Sequence, residues 1–228
     1  MIARLRTRLR LEDESGVTLV ELLVASIITG FILVLVASFF IQVSRVTTTS
    51  VQTGNSTQVA STAMFEISNV IHQATNIPVS GGSQLVAVNT ANVKKLVVYA
   101  YVDVSTSTSP VPSRVTFDAS TGNIIETRCA ATASGTFWTF STCSSTVTRD
   151  LGGVVVDPTG TQNTLFSYLD SGGSPIALVS GSVPAGSIGG VASIQVSVNV
   201  LAPKSTTAPV YITSNVGMPN LGLQIATP

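Results

Sequence analysis

The chain has 228 residues, 44% of them hydrophobic and 10% charged, and its 11 basic residues balance its 11 acidic residues. A neutral chain with so few charges lacks the basic surface of a nucleic-acid-binding protein, and Lys94-Lys95 is its only adjacent basic pair. Two cysteines and one histidine, His72, do not make the ligand set of a tetrahedral metal site.

Residues 1–16 have the composition of a leader rather than of a folded element. Four arginines come first, then three acidic residues, and the segment ends at Gly16. Positive charge before an apolar segment favours a cytoplasmic location for this end of the chain. A basic arm for nucleic acid fits less well, because an apolar run follows directly. A cleaved secretory signal also fits less well, because Gly16 precedes that run instead of following it.

The next segment, residues 22–43, is apolar and contains no charged residue. As a helix it reaches roughly 33 Å, enough to cross a bilayer core of about 30 Å. Glu21 stands at its start, and an ionised carboxylate in hydrocarbon is costly unless it is paired. One interpretation places Glu21 in water at the lipid headgroups, and the other gives it a charged partner.

An amphipathic stretch follows at residues 57–75, where apolar residues recur at spacings of three and four. Pro78 ends this pattern. We therefore predict one long helix over residues 17–75, within an N-terminal helical domain that we bound at residues 17–77. The helix has a weak point near residues 47–56. There, β-branched residues and Gly54-Asn55 lower the helix propensity.

From residue 78 onward the pattern changes to short β-rich runs separated by Gly, Ser, Asn, Asp and Pro. The predicted strands are 84–89, 94–104, 113–118, 123–128, 136–140, 146–149, 164–170, 176–179 and 191–201. Turns at 118–123 and 170–175 predict two hairpins. Strands this closely spaced favour an antiparallel sheet, so the expected fold class is α+β, with a long N-terminal helix packed against an antiparallel β-sheet head over residues 78–228.

The segment around the leader end resembles the type IV pilin-like superfamily. Gly16 is followed by Val17-Thr18-Leu19-Val20-Glu21-Leu22-Leu23-Val24-Ala25, and the family pattern is a basic leader ending in Gly, then an apolar residue, Thr, Leu, an apolar residue and Glu, then a long apolar helix. The similarity covers about the first 45 residues. Val17 departs mildly from the family pattern, in which Phe or Met is more usual at this position.

This resemblance implies cleavage after Gly16 by a prepilin peptidase and methylation of the new amino group on Val17. It also implies that Glu21, with Thr18 and Leu19 in the same motif, acts in assembly, its carboxylate pairing with the N-terminal amine of a neighbouring subunit. The expected partners are other pilin subunits, the peptidase, an assembly platform and membrane lipid. The expected location is the cytoplasmic membrane with the head outside, then a cell-surface or periplasmic filament.

The order of segments in the head looks like that of the larger minor pilins and pseudopilins of the PilW and J-type group. The implied function is a structural subunit of a type IV pilus or a type II secretion-like filament. The alternative is a membrane-tethered binding module or adhesin whose head is the recognition domain. Neither implies a cofactor, and we expect no enzymatic activity, because the sequence has no Gly-x-Ser-x-Gly elbow and no phosphate-binding Gly-rich loop.

Cys129 and Cys143 both lie in the expected extracytoplasmic head, where oxidation to a disulfide is favoured. Phe137, Trp138 and Phe140 lie between them, either as a pinned recognition loop or, as we favour, as core residues. A second candidate site is the 118–123 turn: the oxygens of Asp118, Ser120, Gly122 and Asn123 could approach a calcium ion. Because too few carboxylates are present there, we favour a simple turn.

Overall fold

The computed structural model of the chain describes residues 17–79, 84–103, 111–153, 164–200 and 209–221. The expected leader, residues 1–16, lies outside the described residues. The chain divides into two compact units, Met1–Thr48 and Thr49–Pro228. One long helix, α1 (Leu19–His72), is followed by antiparallel strands, which confirms the predicted α+β class.

In its described residues the head contains a five-stranded sheet, a three-stranded sheet and two short strand pairs, all antiparallel. Its strands are β1 (Ile77–Pro78), β2 (Gln84–Leu85), β3 (Val88–Ala91), β4 (Lys95–Asp103), β5 (Val111–Asp118), β6 (Asn123–Ala130), β7 (Thr132–Ser134), β8 (Phe137–Thr139), β9 (Thr146–Gly153), β10 (Phe166–Leu169), β11 (Ser193–Val200) and β12 (Val210–Gly217). The larger sheet has the order β3-β4-β5-β6-β9, the smaller β10-β11-β12, and β1 pairs with β2 and β7 with β8.

Helix α1 runs without interruption through residues 47–56, so the predicted weak point is not a break. Hydroxyl groups in this stretch donate to carbonyls one turn earlier, from Thr47 to Val43 at 2.9 Å and from Thr48 to Ser44 at 2.9 Å. Because the helix satisfies these polar groups itself, Ser and Thr are tolerated there despite their modest propensity.

The helix ends at His72, three residues before the predicted boundary, because the backbone turns into the head. The Thr75 N–H donates to the Tyr99 carbonyl at 2.9 Å, which begins pairing with β4. The Asn220 side-chain amide donates to the His72 carbonyl at 3.0 Å and satisfies one of the carbonyls that a helix end leaves free.

The second unit has one large apolar core between the C-terminal part of α1 and the two larger sheets. The predicted amphipathic face is confirmed, because the buried apolar residues of α1 recur at spacings of three and four: they are Ala60, Ala63, Met64, Ile67, Val70 and Ile71. Phe117, Phe166 and Ile194 contribute from the strands. Burying each large apolar side chain contributes about 1.5–3 kcal/mol, so this face fixes the helix on the head.

Two details show how closely the elements around the core fit. Gly152 has a φ of 119°, and a Cβ there would lie 2.3 Å from Val59 Cγ1 of the helix, so only glycine fits this position. Tyr168 is buried in the core and its hydroxyl donates to the Asn92 carbonyl at 2.8 Å. Burial raises the pKa of Tyr168 well above its usual value, so this phenol remains a neutral donor.

Most predicted strands are present, but the predicted strand 84–89 is divided between β2 and β3, the short strands β1 and β7 were not predicted, and two longer segments also differ. Residues 176–179 form no strand: Pro175 and Val179 make isolated bridges only, and Ile176 donates its N–H to the Tyr168 carbonyl. The expected 170–175 turn does form, around Asp170, but it leads into an irregular segment. A strand that the sequence interpretation omitted, β12, pairs with β11 along its whole length.

Four charged side chains form a cluster where α1 meets the larger sheet: Glu66 on α1, Glu126 and Arg128 on β6, and Arg149 on β9. Glu126 is fully buried and accepts from Arg128 Nε at 2.5 Å and from Arg149 Nη2 at 2.6 Å. Glu66 Oε1 pairs with Arg128 and with Arg149, the latter at 2.7 Å. Burial lowers the pKa of Arg149, but attraction by Glu66 and Glu126 outweighs it and holds the pKa above its usual value.

We predict that Glu126→Ala lowers the free energy of unfolding by on the order of 3 kcal/mol, because it leaves two arginines short of a buried partner. The matched control is Lys95→Ala, which removes the partly exposed Lys95–Asp118 pair (3.1 Å) and should cost less than about 1 kcal/mol. Chemical denaturation of the full chain in detergent micelles, followed by tryptophan fluorescence, measures both. Equal losses for the two variants would contradict a special role for the buried cluster.

Candidate functional site

The start of α1 is formed by residues of the predicted processing and assembly motif. Val17 is the first described residue and α1 begins at Leu19, while Gly16 lies outside the described residues. The Glu21 N–H donates to Thr18 Oγ1 at 3.2 Å, and the Leu22 N–H donates to the Thr18 carbonyl at 3.1 Å. Thr18 is therefore the N-cap residue of α1.

Glu21 lies in the first turn of α1, at the third helical position after this cap. A carboxylate here is stabilised by the free N–H groups and the positive end of the helix dipole. The sequence analysis did not assign this role, although Thr18-x-x-Glu21 matches the capping-box pattern that marks helix starts. The structure thus brings Thr18 and Glu21 together, and their roles in assembly remain predictions.

The first unit leaves its apolar residues uncovered. Every described side chain from residue 17 to residue 48 is exposed, including Phe31 at 70% and Phe40 at 73%. An 18-residue window of α1 has a mean hydropathy of 2.7, and none of that window is buried within the chain. The helix is therefore long and apolar enough to span a membrane.

Two polar side chains in this apolar part of α1 are satisfied by the helix itself. Ser26 Oγ donates to the Leu23 carbonyl at 2.8 Å, and Thr29 Oγ1 donates to the Ala25 carbonyl at 2.8 Å. Such internal hydrogen bonds lower the cost of placing hydroxyl groups in an apolar environment. This part of α1 is therefore suited to lipid or to the apolar surface of other helices.

In the head, Cys129 and Cys143 form the predicted disulfide. Cys129 lies on β6, Cys143 follows β8, and their Cα atoms are 5.2 Å apart. The enclosed segment contains the β7–β8 hairpin, in which Ala133 is opposite Trp138. The disulfide therefore ties this hairpin to β6, an interior strand of the larger sheet.

The aromatic residues of the disulfide loop divide between core and surface. Trp138 is 6% exposed and packs with Ile77, Tyr99 and Ala131 in a second, smaller apolar cluster, in agreement with the core interpretation. Phe137 and Phe140 stay partly exposed. The Phe140 ring lies 4.8 Å from the Tyr99 ring, centroid to centroid, at an angle of 45°.

An open cavity of about 440 Å³ lies over these rings. Its aromatic lining is Tyr99, Phe137, Trp138 and Phe140. Hydroxyl-bearing residues of the β7–β8 segment also line it, and among the described residues no charged side chain does. The lining itself is thus uncharged and of mixed aromatic and hydroxyl character, and Arg114, opposite Tyr99 in the β4–β5 pairing, is a cation that acts on the Tyr99 hydroxyl.

The carboxylate oxygens of the 118–123 turn are engaged in hydrogen bonds within the turn and in an ion pair with Lys95. Asp118 Oδ1 accepts from the Ser120 N–H at 3.0 Å and from the Ser120 hydroxyl at 2.5 Å, and Oδ2 pairs with Lys95. The Ser120 hydroxyl, with smaller contributions from the Ser120 N–H and from Lys95, lowers the pKa of Asp118 below its usual value. Gly122, with a φ of 89°, completes the turn, so the geometry fits the turn interpretation. Within the described ranges, no three His, Cys, Asp or Glu residues group as a metal site.

Comparisons with known proteins leave the chain without an assigned family. No protein-family model matches it, and no curated protein gives a significant match. Its function is therefore inferred from the residues and contacts described above.

We predict that Cys129→Ser and Cys143→Ser each lower the stability of the head by about 3 kcal/mol, the chain-entropy value for a loop of about 15 residues. For a unit of this size the midpoint of thermal unfolding falls by roughly 6–12 °C. Because either substitution breaks the same bond, the double variant should be no less stable than the single ones. Additive losses, or free thiols at both positions in extracellular material, would contradict the prediction.

Proposed function

We propose that this chain is a structural subunit, a minor pilin or pseudopilin, of a type IV pilus or a type II secretion-like filament. The observation that carries the proposal is the uncovered apolar part of α1 with Glu21 in its first turn. An apolar helix of this length needs a membrane or other helices around it. A filament subunit needs both in succession, first lipid and then neighbouring subunits.

The proposed sequence of events begins at the membrane. The basic leader stays in the cytoplasm, a prepilin peptidase cleaves after Gly16, and the new amino group on Val17 is methylated. During assembly, Glu21 pairs with the N-terminal amine of a neighbouring subunit. Each charge then offsets part of the desolvation cost of the other, which makes the pair tolerable in an apolar filament interior.

The head supplies the outer surface in this proposal. The Cys129–Cys143 disulfide suits an oxidising, extracytoplasmic compartment. The role proposed for the head is structural and not catalytic. A membrane-tethered binding module is the second candidate, favoured by the neutral aromatic cavity, and both functions can reside in one chain.

We predict that mass spectrometry of the mature protein finds a chain starting at Val17 and carrying one added methyl group. Gly16→Val should leave most of the protein with its leader, because a β-branched side chain obstructs access of the peptidase to the backbone. Ser15→Ala is the matched control and should be processed normally. A wild-type chain that keeps Met1 in cells with an active peptidase would argue against the filament proposal.

We predict that Glu21→Ala is cleaved, inserted in the membrane and folded in its head, but is at least tenfold less abundant in purified filaments. Removing one partner of a buried charge pair costs about 3–5 kcal/mol. Glu21→Asp should be partly defective, because its shorter side chain reaches less far.

The control for this experiment is Thr18→Ala, which removes the cap of α1 and keeps the Glu21 carboxylate. Loss of an N-cap costs about 1 kcal/mol, so its defect should be clearly smaller. Equal defects in Thr18→Ala and Glu21→Ala would assign Glu21 to helix capping. Normal incorporation of Glu21→Ala would leave Glu21 as a water-exposed residue at the membrane boundary.

A further inference from the structure

The cavity over the disulfide loop has the size and the fixed frame of a ligand pocket. Small-molecule pockets typically enclose about 300–1,000 Å³, and this one measures about 440 Å³. Tyr99 and Trp138, 5% and 6% exposed, form its least accessible part, while Phe137 and Phe140 are more open to solvent. The disulfide holds the segment that carries Phe137, Trp138 and Phe140, so the aromatic surface is preformed.

Hydrogen bonds hold the same segment in place. Thr132 Oγ1 donates to the Thr142 carbonyl at 3.0 Å, and Ser144 Oγ donates to the Ala131 carbonyl at 2.9 Å. The β7–β8 pairing places Thr132 opposite Thr139. A site fixed in this way loses little conformational entropy when a ligand binds.

Three hydroxyl groups, those of Ser134, Thr139 and Ser141, add a polar part to the lining. The Thr139 and Ser141 oxygens are 3.1 Å apart and share one hydrogen bond, so each retains capacity for a ligand. An ionic ligand gains no charged partner from the described lining. A wholly apolar ligand would displace water from these hydroxyls without replacing its hydrogen bonds, which costs free energy.

We propose that this cavity binds a neutral saccharide. A pyranose ring presents an apolar C–H face, which packs on aromatic rings, and a rim of hydroxyl groups, which pair with Ser and Thr side chains. The lining offers both features and no described charge. All the residues concerned belong to the head, so the proposal does not depend on filament assembly.

Trp138 is the only tryptophan of the chain, so its fluorescence reports directly on the cavity. The test uses the full chain in a detergent that contains no sugar and titrates it with lactose, maltose, cellobiose and N-acetyllactosamine. Glucuronic acid and benzyl alcohol serve as the charged and apolar comparisons. We expect a saturable fluorescence change with at least one of the four neutral sugars and none with glucuronic acid.

Phe137→Ala should weaken that binding at least tenfold while the disulfide and the near-ultraviolet circular dichroism of the head persist. The matched control is Phe65→Ala, which removes a 72% exposed phenylalanine on α1 and should leave binding unchanged. Saturation by benzyl alcohol with no response to any sugar would overturn the proposal. So would the absence of any saturable response, or equal weakening by the two substitutions. Filament incorporation of the Glu21 variants is measured separately and is unaffected by either result.

Discussion

The account depends on one constraint: the N-terminal part of α1 exposes an apolar surface that the described chain does not cover. Leaving a large apolar side chain in water costs about 1.5–3 kcal/mol relative to burying it. Many such residues lie between positions 17 and 48, so their total cost exceeds the usual stability of a folded domain, about 5–15 kcal/mol. This part of the helix therefore needs lipid or other protein around it at all times. Its composition agrees, because residues 22–43 carry no charge and the hydroxyls of Ser26 and Thr29 are bonded within the helix.

Glu21 is the exception in this apolar region, and the structure gives it one role within its own chain. In the first turn of α1 its carboxylate faces the positive end of a helix dipole, beside the Thr18 cap. A role in assembly would be additional to this. The Thr18 cap can be removed by itself, because it needs the Thr18 hydroxyl, whereas both roles of the Glu21 carboxylate need its charge.

The head is held by contacts of a different kind. The apolar face of α1 after residue 56 fills the core, the Glu66, Glu126, Arg128 and Arg149 cluster joins the helix to β6 and β9, and a disulfide ties the β7–β8 hairpin to the sheet. These contacts stabilise a rigid unit and leave the Phe137 and Phe140 side chains partly open. A rigid frame with an open aromatic surface suits recognition as well as packing.

Local patterns were enough to predict the long helix and the hairpin at 118–123, because both depend on residues close in sequence. The disulfide could be predicted because an oxidising compartment was expected for both cysteines. The irregular 176–179 segment was predicted as a strand because its residues favour β-structure, yet no neighbouring strand is available to pair with it in the described structure. Strand β12 was missed although Val210, Tyr211 and Ile212 favour β-structure, because its pairing with β11 spans a connection from Val200 to Val210.

Glu126 shows the limit of local reasoning. It shares the inward face of β6 with Ile124, but its burial is compensated in part by Arg149, which is distant in sequence. The cavity could not be predicted either, because Tyr99 and Trp138 meet only through the fold. In the N-terminal segment, by contrast, the Thr18-x-x-Glu21 pattern was readable and was overlooked.

The central claim is that the apolar part of α1 exchanges lipid for other subunits. Site-specific photo-crosslinking from position 31, occupied by the 70% exposed Phe31, tests this most directly. The account predicts lipid adducts in the membrane fraction and, in sheared extracellular filaments, protein adducts to the helix of another subunit. Lipid adducts alone in every fraction, with no crosslinked subunit outside the cell, would contradict it.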